Sequence, residues 1–163
     1  MMRTYYKDIN ADFICKHCGY FVSSLTLVSG VVNRNHCPYC LHSQHVDLYH
    51  PGDRLCPCKA LMAPVGLTLK RSRDKYAPDN HGELMVVHRC INCGELSINR
   101  IAADDDPEKL LAILKNSTKG RYALLDECRI KGIRLLDEKS HRYLVQSRLF
   151  GRSVDLWVEA AKL

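Results

Sequence analysis

The spacing of the cysteines is the feature that most constrains what this chain can fold into. Eight of the nine cysteines fall into four close pairs, three of the form C-x-x-C and one of the form C-x-C. A tetrahedral zinc site takes four soft ligands at about 2.3 Å, and one C-x-x-C turn brings two thiolates to a single point. Two turns therefore build one site, so the sequence predicts two zinc ions per chain. The pairs are Cys15 with Cys18, Cys37 with Cys40, Cys56 with Cys58, and Cys90 with Cys93.

The first two pairs have the spacing of a zinc ribbon. Eighteen residues separate Cys18 from Cys37, which is a usual length for the hairpin between two knuckles. Residues 20–32 are rich in β-branched and aromatic side chains, with Ser29-Gly30 as a turn signal. We therefore expect this spacer to form a β-hairpin.

The last two pairs predict a second, larger ribbon. Apolar and polar residues alternate over 65–70 as in a strand, residues 71–82 are rich in turn formers, and residues 84–87 return as a strand. A C-x-C pair presents its two thiolates to one ion in a less favourable geometry than a C-x-x-C pair does. If Cys56 or Cys58 is not a ligand, we expect His88 to replace it.

Disulfides and redox chemistry account less well for the paired cysteines. Four disulfides need an oxidising compartment, and residues 1–8 contain no apolar stretch that resembles a signal peptide. No apolar run approaches the ~20 residues that span a bilayer, so we expect a cytoplasmic protein. Redox pairs normally begin a helix, whereas these lie among strand and turn signals. The C-P-x-C spacing at Cys37 is also compatible with iron, so the identity of the metal stays open.

Several short motifs resemble those of one known family. The string Asn33-Arg34-Asn35-His36-Cys37-Pro38 is similar to the RNHCP domain family, as are Cys40-Leu41, His45-Val46-Asp47, Gly52-Asp53-Arg54 and the segment from His88 to Arg100. The resemblance covers roughly residues 11 to 106. It implies a compact domain of the zinc-binding type but brings no firm activity. Cys58 fits the family pattern, whereas Cys56 departs from it.

The composition changes at Asp104, where the cysteine pairs end. Asp104 to Glu108 predicts a helix start that continues to about Asn116. A second helix is predicted over Arg121 to Lys131, with Cys128 as a small buried residue. Residues 133–136 and 142–150 fit either a hairpin or a continued helix, and residues 154–158 alternate like a strand. The predicted fold class is α+β, with two zinc-ribbon-like modules in residues 1–103 and a small helical or mixed extension in 104–163.

The charge is weak evidence for nucleic acid. The formal net charge is +6, but two zinc ions held by eight thiolates would lower it to about +2. RNA binding would therefore depend on local clusters whose cations could bind phosphates. Alternatively, Arg34 covers a thiolate while Asn35 and His36 support the knuckle backbone. The candidate nucleic-acid-binding residues are Arg34, Asn35, Lys70, Arg71, Arg73, Lys75 and Arg100.

We predict a zinc-binding, RNA-binding module that associates with the ribosome or another structured RNA. Two sites with four ligands each leave no open position for catalysis, and we assign no catalytic residue. His45 and Asp47 could form an acid–base pair, but residues two apart on a strand merely share a face. A protein–protein adaptor, an uncharacterised metal-dependent enzyme and a protein that handles metal are the alternatives. The sequence does not determine the oligomeric state.

Overall fold

The computed structural model describes residues 11–71, 76, 78, 81–117 and 121–151. The helices and strands follow one another in a mixed α+β order. Among the described residues, no helix is both long enough and apolar enough to cross a membrane. The elements are β1 (Phe13–Ile14), β2 (Phe21–Val22), α1 (Thr26–Ser29), β3 (Ser43–Gln44), β4 (Leu61–Arg71), β5 (Gly82–Cys90), β6 (Leu96–Arg100), α2 (Pro107–Asn116), α3 (Tyr122–Ile130) and α4 (Glu138–Phe150).

The first cysteine pair lies in a short hairpin between β1 and β2. Phe13 pairs with Val22 and Ile14 with Phe21. The side chains of these two pairs point to opposite faces of the hairpin. Phe13 and Val22 pack against the buried Cys15 and Cys37, and the other pair is exposed. The predicted hairpin over residues 20–32 is wrong, because Thr26–Ser29 form one helical turn that ends at Gly30 in the left-handed region. Gly30 thus terminates a helix, where the sequence indicated a strand turn.

The second sheet has four strands in the order β3-β4-β5-β6. Strands β4 and β5 confirm the two predicted strands, and both are longer than the alternation indicated. Ser43 pairs with Met62 in an antiparallel register. This pairing places the segment that follows the second cysteine pair beside the start of β4.

The chain divides into two compact units. The first contains the described residues up to Pro64 with His88–Glu95 and Ile101–Asp106, and the second contains those of Val65–Val87, Leu96–Arg100 and the chain from Pro107 onward. The predicted boundary between residues 103 and 104 stays a prediction. All eight paired cysteines belong to the first unit.

The second unit confirms both predicted helices, which are α2 and α3. Its core includes Val87, Leu96, Leu124 and Leu135 around Cys128, which is buried as predicted. Helix α4 resolves the ambiguity over residues 142–150 in favour of a helix. It begins after Asp137, whose side chain accepts a hydrogen bond from the backbone N–H of Ser140 at 2.8 Å, a typical helix cap. The strand predicted over residues 154–158 lies outside the described residues.

Candidate metal centres

Three of the four cysteine pairs form knuckles with the same backbone structure. In each knuckle, the N–H of the first cysteine donates to the carbonyl five residues later, and the N–H four residues later donates to the first cysteine's carbonyl. The residue after the second cysteine has a positive φ, which turns the chain back over the ion. Those residues are Gly19 at 77°, Leu41 at 60° and Gly94 at 76°.

The first and second knuckles bring four thiols together, as the spacing predicted. The ligand atoms of Cys15, Cys18, Cys37 and Cys40 all lie within 4.8 Å of one another. The Sγ atoms of Cys15 and Cys40 are 3.6 Å apart, as are those of Cys18 and Cys37. Sulfurs that each lie 2.3 Å from one ion in a tetrahedron are about 3.8 Å apart, whereas a disulfide needs about 2.05 Å. The cluster therefore fits a metal ion and does not fit two disulfides.

Burial controls the protonation of these thiols when no metal is bound. Burial raises the pKa of the Cys37 thiol to about 11 and also raises that of the Cys40 thiol. Both thiols are therefore neutral at pH 7 without a metal ion. Because only the thiolate is a good ligand, binding an ion here must release protons.

The second cluster contains one histidine and three cysteines. The ligand atoms of His45, Cys58, Cys90 and Cys93 lie within 4.8 Å of one another. The Sγ atoms of Cys58 and Cys90 are 3.7 Å apart, and Nδ1 of His45 lies 3.3 Å from Sγ of Cys93. These separations also fit a tetrahedral ion with thiolate and imidazole ligands.

The Cys58 thiol is prepared to bind a metal ion. The backbone N–H of Ala60, with help from the Asn92 side chain, lowers the pKa of Cys58 to about 6. The Asn92 amide nitrogen lies 3.6 Å from the sulfur. At neutral pH this residue is therefore largely a thiolate before the ion arrives.

Backbone pairing explains why His45 occupies the position for which the sequence predicted Cys56 or His88. The N–H of His45 donates to the Ala60 carbonyl at 2.9 Å, and the N–H of Lys59 donates to the His45 carbonyl at 3.1 Å. These two hydrogen bonds place His45 beside Cys58. Neither Cys56, which is buried, nor His88 is a member of the cluster.

The His88 side chain has a different partner. Its Nε2–H donates to the carbonyl of Leu41 at 2.6 Å, and the ring is fully buried. Burial lowers the pKa of His88 to about 3, so the ring is neutral under ordinary conditions. His88 therefore supports the backbone of the second knuckle.

Replacing His45 and Cys56 with alanine, one at a time, tests which of them is a ligand of the second site. We expect His45→Ala to reduce the bound metal from two ions per chain to one, because three thiolates hold the remaining ion far more weakly. Cys56→Ala, the matched control, should keep two ions. Metal analysis of the purified variants by plasma mass spectrometry measures both. Two ions in His45→Ala together with one in Cys56→Ala would restore Cys56 as the ligand.

Arg34, predicted to contact RNA, is instead buried. Its side chain has no exposed surface, and Nη1 lies 2.8 Å from Oδ2 of Asp104 while Nη2 lies 3.6 Å from Oδ1 of Asp105. Asp105 also accepts from His36 Nε2 at 2.8 Å and from the N–H of Ala102 at 2.8 Å. A guanidinium with no exposed surface cannot reach a phosphate, so this geometry argues against direct contact between Arg34 and RNA.

The Gly52-Asp53-Arg54 motif builds a loop in the same unit. The carboxylate of Asp53 accepts hydrogen bonds from four backbone N–H groups between residues 48 and 55, and these bonds hold its pKa well below the usual range. Arg54 Nη2 donates to the carbonyl of Arg34 at 3.2 Å. Gly52 has a φ of 90°, and a Cβ atom there would lie 2.7 Å from the Asn33 side chain. The motif is therefore structural.

The other candidate nucleic-acid-binding residues differ in their exposure and in their partners. Lys70 and Arg71 are exposed at the end of β4, and Asn35 is half-buried. Arg100 is exposed and lies 3.0 Å from Glu83. Arg73 and Lys75 lie outside the described residues. The RNA prediction therefore no longer has a cluster around Arg34 to support it.

Comparison with known protein families gives a match that covers the metal-ligating residues. The chain matches the RNHCP domain over residues 10–111, which is more than half of its length and includes both clusters and the aspartates that hold Arg34. Searches of curated proteins and of solved structures find no match. The chain therefore belongs to the RNHCP domain family.

Proposed function

We propose that this chain is a non-catalytic binding module held together by two structural zinc ions. The observation that carries the proposal is that each cluster supplies four ligand atoms to one point. Structural zinc sites are closed in this way, whereas catalytic sites keep one position open. Mixed thiolate and imidazole ligands in a tetrahedron also favour zinc. Iron in the four-cysteine site would colour the protein, so an absorption spectrum distinguishes the two metals.

An uncharged, exposed segment supports a protein as the partner. The fourteen residues from Tyr20 to Asn33 contain no Asp, Glu, Lys, Arg or His. Most of the large apolar side chains in this segment are exposed, and Leu27 is 93% exposed. Depletion of charge together with exposed aromatic and aliphatic groups is typical of the centre of a protein–protein interface. The exposed large side chains are Tyr20, Phe21, Leu25, Leu27, Val28 and Val32.

The segment continues into the two neighbouring knuckles. Phe21 shares an outward face with Ile14, its partner across the hairpin. The rings of Tyr20 and Tyr39 are 5.1 Å apart, and both are more than half exposed. Metal ligands thus fix the positions of the elements that present these side chains. We infer that metal binding shapes this surface for an apolar segment of a partner protein.

The adaptor function is tested by Leu27→Glu. The side chain is almost fully exposed, so the change should leave folding and metal content intact. We expect a nuclease-resistant partner captured from native lysate by the full chain to be lost with Leu27→Glu. Ile130→Glu on α3, also highly exposed, is the matched control and should retain it. Equal capture by wild type and Leu27→Glu would overturn the docking role of this segment.

RNA is the second candidate, and the end of β4 supports it. Lys70 and Arg71 are exposed at the end of β4, and Tyr76, five residues after Arg71 in the sequence, is 82% exposed. Cations beside an exposed aromatic ring can bind phosphates and stack on an unpaired base. The global charge adds little, because two zinc ions with seven thiolates change +6 to +3.

The salt dependence of binding distinguishes RNA from protein. If Lys70 and Arg71 bind phosphates, replacing both with Ala should weaken binding to a single-stranded RNA. The slope of log affinity against log salt should also fall in magnitude by about 1.4. Arg129→Ala, an exposed arginine on α3, should change neither quantity. An unchanged slope in the double variant would exclude these two cations from an RNA site.

A further inference from the structure

A third group of metal-ligating side chains lies beside the first cluster. His17 and His42 each offer a ring nitrogen within 4.8 Å of the Sγ atom of Cys40 and of each other. Cys40 is also a member of the four-cysteine cluster. His17 is exposed, and both His42 and Cys40 are half-buried. The group is therefore partly accessible to solvent, whereas the thiols of Cys15 and Cys37 are buried.

The orientation of His42 is that of a metal-binding imidazole. Its Nδ1 lies 3.1 Å from the carbonyl oxygen of Cys40, so Nδ1 carries the proton and donates it to that oxygen. Nε2 is then unprotonated and available as a ligand. Metal-binding histidines are commonly held in this way, with the second ring N–H bonded to a backbone carbonyl.

We propose that His17, His42 and a bridging Cys40 thiolate bind a third metal ion, which shares Cys40 with the first zinc site. A thiolate has enough lone pairs to bind two ions, and two imidazoles with one thiolate suit Zn²⁺, Co²⁺ or Cu⁺. With three protein ligands, this ion keeps a position for water or an external ligand. The third site is therefore weaker and more exchangeable than the two four-ligand sites.

Binding requires the His17 ring to move. The two imidazoles are stacked, with centroids 3.5 Å apart and planes within 5°. The in-plane lone pairs of two parallel rings cannot both point at one ion. His17 is exposed, so its ring can rotate about its side-chain bonds, whereas the bond to the Cys40 carbonyl holds His42. The arrival of the ion should therefore break the stack, and the resonances of the His17 ring should shift.

The test is a zinc titration of the full chain already loaded with two zinc ions. Native mass spectrometry and calorimetry should show a third ion that binds in the micromolar range. His17→Ala and His42→Ala should each weaken that event by at least about tenfold and leave the first two ions in place. His50→Ala removes an exposed histidine outside all three groups and should bind the third ion as the wild type does.

Two results would overturn the proposal. One is a wild-type chain that stays at two ions when zinc reaches high micromolar concentrations. The other is a third ion whose affinity is unchanged in both His17→Ala and His42→Ala, which would show adventitious surface binding. NMR of the two-ion form of each variant checks that the first knuckle remains folded, so that a lost third ion reports on the site and not on misfolding.

Discussion

Cys37→Ser is expected to lose one of the two metal ions and to unfold the first unit. The Cys37 sulfur is fully buried between two knuckles, so its loss leaves three thiolates that cannot close a tetrahedron. Structural zinc supplies about 10–16 kcal/mol in small zinc domains. We therefore expect the free energy of unfolding to fall by about 5 kcal/mol or more. Denaturant titration and metal analysis of the same sample measure both effects.

Cys128→Ala is the matched control for this change. Cys128 is equally buried but packs in the apolar core of the second unit, and it belongs to none of the ligand groups. The variant should keep both metal ions and lose only the small packing contribution of one sulfur. If Cys128→Ala lost an ion, or if Cys37→Ser kept two, the assignment of the first cluster would be wrong.

The second large effect is expected at Arg34. Removing one partner from a buried ion pair leaves the other charge without compensation and costs about 3–5 kcal/mol. Arg34→Ala would leave the buried Asp105 carboxylate with only His36 and backbone donors. We therefore expect a large loss of stability by denaturant titration. Arg100→Ala removes an exposed pair with Glu83 and should cost less than about 1 kcal/mol.

The same variant decides between the two roles considered for Arg34. A nucleic-acid contact predicts normal stability and weaker RNA binding. A structural ion pair predicts lower stability, with part of it restored in the double variant Arg34→Met with Asp105→Leu, which removes both charges together. Normal stability of Arg34→Ala would contradict the buried pairing.

The local chemistry of the knuckles could be predicted from the sequence. The C-x-x-C spacing, the glycines at positions 19 and 94, and Pro107 at the first position of α2 are signals that act within a few residues. The first cluster and helices α2 and α3 follow from such signals. The turn at Gly30 was misinterpreted because a glycine with positive φ ends a helix as readily as it turns a hairpin.

Contacts between distant parts of the chain could not be predicted. His45 joins the second cluster because backbone pairing places it beside Cys58, and no spacing rule relates these two residues. Arg34 and Asp104 are 70 residues apart in sequence, so the aspartates looked like the start of a helix. The C-x-C spacing of Cys56 and Cys58, which binds an ion less favourably than C-x-x-C, was the local signal that the second site takes a ligand from another part of the chain.

The segment Ile101–Asp106 sets a limit on how the chain can be shortened. It lies beyond the last cysteine pair, yet Asp104 and Asp105 hold Arg34, and the N–H of Asp106 donates to the Pro38 carbonyl at 3.1 Å. A fragment that ended just after Cys93 would contain every metal ligand and still leave a buried guanidinium without its carboxylates. An autonomous metal-binding fragment must therefore extend through Asp106. It also carries β4 and β5, which lie between Cys58 and Cys93 along the chain, and β6, which lies between Cys93 and these aspartates.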